Sequence, residues 1–77
     1  MSVTRAEVAA RAHRRDLEAL STLLDAGGEK QAAARLGVGR AGISHRLCRL
    51  RERLGCDTTA QVIFVLADEL HRYREGR

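Results

Sequence analysis

GRAGISHRLCRLRERLG, the run from Gly39 to Gly55, decides how this chain folds. Ile43, Leu47, Leu50 and Leu54 recur at spacings of four, three and four, the repeat of a helix that buries one stripe. With about 100° between successive residues, Ala41, His45, Cys48, Arg49 and Glu52 fall opposite that stripe, and Arg40, Ser44, Arg46, Arg51 and Arg53 lie on its flanks. The outward surface is therefore basic. Positions 40–53 hold five arginines against one glutamate, a balance of +4 that equals the formal net charge of the whole 77-residue chain. A cationic helix face with small or polar side chains between the arginines suits the major groove of DNA. The groove admits a single helix, and Arg can serve both phosphates and guanine edges.

Working back from Gly39, the turn before this helix is equally readable. Gly37 supplies a left-handed residue that ends the preceding helix, Val38 plugs the turn into the core, and Gly39 caps the next helix. The preceding helix runs from Glu29 to Leu36, with Ala32, Ala33 and Leu36 as its apolar positions. Alanines there let two steeply crossed helices approach closely. Gly27 and Gly28 separate this pair from an earlier helix whose buried stripe is Leu17, Leu20, Leu23 and Leu24. A capping box at Thr4 and Glu7 lets the same helical pattern begin near the amino terminus and run to Ala26. Residues 1–14 are poor in large apolar groups and carry Arg5, Arg11 and Arg14. We read them as a basic arm or helix extension before a domain over residues 15–77. Together with Arg15, the arm is either solvated or available for phosphate contact or partner packing.

After Gly55, a last helix is expected from about Thr59 to Arg74, capped by Asp57, Thr58 or Thr59. Val62 to Leu66 are five consecutive apolar residues, so they occupy every side of the helix. Ile63, Leu66, Ala67, Leu70 and Tyr73 make the stripe assigned to the core, which leaves Val62, Phe64 and Val65 in need of cover. A second copy of the same helix would supply it. The expected dimer interface is Val62, Phe64, Val65, Leu66 and Tyr73, and a two-fold dimer would set two reading helices about 34 Å apart on DNA.

Composition narrows the class. With one Phe, one Tyr, no Trp and no Pro, the core must come from Leu, Val and Ile, and no alternating strand pattern appears. The fold expected is all-α, a tetrahelical helix-turn-helix bundle without a β wing. Two cysteines, Cys48 and Cys56, make no disulfide framework and suggest thiols in a reducing compartment. The longest apolar run is far too short to cross a bilayer, and no signal core is present, so a cytoplasmic, nucleoid-associated protein is expected. His45 with Cys48 has the spacing of half a metal site but no second pair completes it, and no cofactor is expected. Among the arginines, the Cys48 thiol is also a candidate for redox sensing. No nucleophile-base arrangement, carboxylate pair or phosphate loop is present, which argues against an enzyme.

The run QAAARLGVGRAGISHRLCRLRERLG resembles the helix-turn-helix of LuxR/GerE-type regulators: an alanine-containing first helix, a Leu-Gly-Val turn and a closing Arg-Leu-Gly. LEALSTLLDAG and CDTTAQVIFVLADEL are similar to that family's first and last helices, so the likeness spans roughly residues 15–71. Gly39 and Gly42 stand where the family usually has Ser and Thr. LysR-type amino-terminal domains also resemble residues 32–55, but they continue into a wing that has no counterpart in the sequence after Gly55. The LuxR/GerE resemblance implies a DNA-binding transcription regulator that dimerises through its last helix. Its DNA-contacting positions carry over to Arg40, Ala41, Ser44, His45, Arg46 and Arg49. We expect Arg49 and His45 at base edges, and Arg40, Arg46 and Arg53 on phosphates. Arg49 and Arg53 also have Glu52 and Asp57 nearby as ion-pair partners. The competing reading is a protein-interaction module on the same scaffold, binding RNA polymerase, a sigma factor or another regulator.

Overall fold

A computed structural model describes residues 13–76, and every regular element in that span is an α-helix: α1 (Arg14–Ala26), α2 (Glu29–Leu36), α3 (Arg40–Leu54), α4 (Thr59–Val65) and α5 (Ala67–Glu75). Among the described residues there is no strand. The capping box at Thr4 and Glu7 lies outside them. His13 is extended, with φ −100° and ψ 159°, so α1 starts at Arg14. Asp16 fixes that start, because its carboxylate accepts the backbone N–H of His13 at 2.9 Å, one of the donors a helix leaves unpaired at its first turn.

Three helices end on glycines in the left-handed region: α1 at Gly27, α2 at Gly37 and α3 at Gly55, with φ of 83°, 70° and 69°. A side chain in this region is strained, so the chain reverses where the glycines stand. After Gly37 the N–H of Val38 returns to the carbonyl of Ala33 at 3.0 Å, closing the turn that joins α2 to α3. Val38 packs against the core as expected.

The core forms where α1 lies on α2, α3 and α5 while α3 meets α2 and α4. Ile43, Leu47, Leu50 and Leu54 are all buried, joined by Leu20, Ala32 and Ala33, as the periodicity required. On α1 the stripe is narrower than expected. Leu20 is fully enclosed, Leu17 and Leu23 pack on the margin, and Leu24 is exposed. The remaining buried positions of α1 are Asp16, Ala19 and Ser21.

The last helix is where the sequence reading needs correction. It is broken at Leu66, whose ψ of 14° turns the chain between α4 and α5, so the last segment forms two helices where one was expected, making five among the described residues. The hydrogen bonds Leu66 N–H to Val62 O and Leu70 N–H to Leu66 O persist across the break, which keeps Val62, Leu66 and Leu70 on one face. That face is the buried one. Val62 and Leu66, assigned above to a dimer interface, are therefore core residues with 1% and 0% exposure, and have no surface left for a second subunit. Ala67 is exposed. Ile63 and Val65 pack on the core's edge, while Phe64 is 66% exposed.

Thr58 caps α4 through a reciprocal box with Gln61: the Thr58 hydroxyl accepts the Gln61 N–H at 3.1 Å, and the Gln61 side-chain oxygen accepts the Thr58 N–H at 3.0 Å. Arg74 returns the end of α5 to α1, bonding the Ser21 hydroxyl at 3.0 Å and the Asp25 carboxylate at 2.6 Å. This bond satisfies Ser21, which is otherwise a fully buried polar side chain. No described helix is long and apolar enough to cross a membrane.

Candidate nucleic-acid interface

The four apolar residues of α3 point into the core, so the opposite side of the helix is set by default. Arg40, Ala41, Ser44, His45 and Arg49 are exposed and Arg46 is partly so. Arg40, Arg46 and Arg49 have no carboxylate partner among the described residues. Neither Glu52 nor Asp57 pairs with Arg49. Cys48 is half-buried on the same helix, with its thiol 3.8 Å from the Glu52 carboxylate.

Arg53 behaves differently from the other arginines of this face. Its guanidinium holds the Asp16 carboxylate at 2.5 Å, across 37 positions of sequence, while the Asp16 side chain is only 6% exposed. A buried carboxylate needs a counter-charge or donors, and Arg53 and the His13 N–H supply both. Arg53 thus clamps the carboxyl end of α3 to the start of α1, and is not simply the outward phosphate ligand the helix wheel suggested. Arg51 is likewise turned inward along the fold, donating to the Thr59 hydroxyl at 3.2 Å.

The clamp leaves a cleft of about 460 Å³ between the start of α1 and the outer face of α3. Arg15, Arg46, Arg49 and Arg53 line it with His13, His45 and the acid Asp16, and Gly42 contributes bare backbone. Arg15, read with the arm, joins His13, Asp16 and Gly42 in this cleft, a convergence that helix periodicity alone does not reveal. The available signal was Asp16 itself, an acid at the i−4 position to Leu20 on the buried side of α1, which demands a cationic partner from elsewhere. Arg14, placed in the arm, instead sits with its guanidinium carbon 5.3 Å from the centre of the Tyr73 ring on α5, within cation-π range. Tyr73 is half-buried. No cluster of metal-ligating side chains occurs among the described residues.

No protein-family model matches the chain, and comparison with curated protein sequences and with solved structures gave no match either. The chemistry of this face is what any functional reading must rest on.

Proposed function

We propose that the chain is a sequence-specific DNA-binding transcription regulator of the cytoplasm and nucleoid, which inserts α3 into the major groove. The observation that carries this reading is the set Arg40, Arg46 and Arg49: Arg49 opposite the buried stripe of α3 and Arg40 and Arg46 on its two flanks, without carboxylate partners among the described residues, with the small exposed side chains of Ala41 and Ser44 on the same helix. Unneutralised charge on a helix that can approach closely is what a phosphate-lined groove attracts. Arg49 and His45 are assigned to base edges and Arg40 and Arg46 to phosphates, with Arg53 holding the helix in place.

The working form in this reading is a homodimer. Phe64 is the natural centre of its interface, being a large exposed aromatic on α4, with Val65 next to it in the chain; Tyr73 is half-buried on α5, under the Arg14 guanidinium. A two-fold pair of reading helices calls for a two-fold symmetric site.

Selection of bound sites from random duplexes, followed by binding of Arg49→Ala and Arg46→Ala to the winning sequence, tests the assignment. Arg49→Ala is expected to cost about 1–3 kcal/mol and relax preference at one base pair, and Arg46→Ala to weaken all duplexes alike. No enriched site, or two variants that bind it like the parent, would refute the reading. The alternative, docking on RNA polymerase or another regulator through the same scaffold, would then be the reading to pursue.

A further inference from the structure

We infer that the cleft between the start of α1 and α3 is a phosphate-binding site, with Arg15 as its outer wall. The inference extends the DNA-binding reading by adding a contact from outside the reading helix. Of the four guanidiniums lining the cleft, Arg53 is committed to Asp16. The Asp16 carboxylate is nearly enclosed and already accepts from both Arg53 and the His13 N–H, so it does not neutralise the others. Arg15 on α1 and Arg46 and Arg49 on α3 have no carboxylate partner among the described residues, and they converge on one concavity from two walls.

The shape of this donor set selects the ligand. A planar carboxylate presents two oxygens in one plane and is satisfied by one guanidinium fork. Guanidiniums lining one cleft from two helices suit an acceptor whose oxygens point in several directions, as those of a tetrahedral phosphate do. The cleft, at about 460 Å³, falls within the range of small-molecule sites, so it has room for a phosphate together with its attached sugar. Two sources share that chemistry. One is a backbone phosphate of the duplex read by α3, held by Arg15 and Arg46 while Arg49 reaches past it to the bases. The other is the terminal phosphates of a free nucleotide, which would occlude Arg46 and Arg49 and so compete with DNA.

The test uses the full chain and Arg15→Gln, with pyrophosphate and the selected duplex as probes. Arg15 is exposed on the first turn of α1, so its replacement should leave the fold intact, and the amide spectrum checks that directly. Pyrophosphate should give saturable shifts at residues 13–16, 42, 45, 46 and 49, with affinity falling about tenfold in Arg15→Gln, the loss of one charge-assisted contact. If the duplex is the source, Arg15→Gln should also weaken it and lower the salt slope by about 1. If only pyrophosphate binding falls, the source is a free nucleotide. Arg72→Gln, an equal change of net charge on α5, should leave both probes unaffected. Duplex failure with pyrophosphate binding retained would sink the DNA reading and leave the cleft standing. Arg15→Gln matching the parent toward both probes, or Arg72→Gln matching Arg15→Gln, overturns the inference.

Discussion

The ion pair between Asp16 and Arg53 joins the start of α1 to the end of α3. Neither stands out in the sequence, where one is a lone acid after two arginines and the other is the last of five arginines in α3. Their pairing ties two helices together and creates the cleft wall. Removing the carboxylate leaves the His13 N–H and the Arg53 guanidinium without their acceptor. Asp16→Ala is therefore expected to destabilise the fold by about 1–3 kcal/mol. Asp16→Asn, which keeps an acceptor for the His13 N–H, should lose less. Urea unfolding followed by helical circular dichroism measures both, and an Ala variant as stable as the parent would show that the clamp contributes nothing. The sequence could flag Asp16 as an anomaly on an apolar face but could not name its partner, because a contact spanning 37 positions leaves no local trace.

Among the elements, legibility tracked how completely a pattern excluded its alternatives. In α3 the four apolar residues fit only one helical phase, and all four are buried. In the last helix, five consecutive apolar residues fit every phase. The phase containing Val62, Leu66 and Leu70 was chosen by what α3 and α1 present to it, information that is absent from the segment itself. The break at Leu66 was equally hidden, since neither Pro nor Gly marks it and only the β-branched Val62, Ile63 and Val65 weaken the helix there. Glycines give a sharper prediction. Gly42 lies in the first turn of α3, where an added Cβ would meet only the Val38 Cβ at 3.8 Å, an ordinary contact. Gly42→Ala should stabilise the protein by about 0.5–1 kcal/mol. Gly37, at φ 70°, should respond oppositely, with Gly37→Ala costing about 1–2 kcal/mol. Thermal unfolding of the two variants should therefore move in opposite directions, and a shared direction would mean the turn between α2 and α3 is misread.

Across the chain, two exposed features carry the functional reading: the arginine face of α3 and the ring of Phe64 on α4, 66% exposed. The correction at Val62 and Leu66 separates interface from core and makes the dimer testable. Phe64→Ser should shift sedimentation from dimer toward monomer while unfolding remains cooperative, whereas Val62→Ser should lower stability by about 1–3 kcal/mol because it buries an ill-matched hydroxyl. A Phe64→Ser protein that sediments like the parent would remove Phe64 from the interface. The site was legible in part for the same reason as the fold. Helix periodicity gives the direction of Arg40, Arg46 and Arg49, but the convergence of Arg15 on them depends on how α1 packs.

The dependence of duplex binding on salt shows whether the outward face of α3 meets nucleic acid through Arg40, Arg46 and Arg49, which have no carboxylate partner among the described residues. Each phosphate contact should contribute about 0.9 to the negative slope of log affinity against log salt. Arg40 and Arg46, doubled in a dimer and joined by Arg15 if the cleft takes a backbone phosphate, predict a steep fall. An affinity that is flat across the titration, or no binding to any duplex even in dilute buffer, would contradict it.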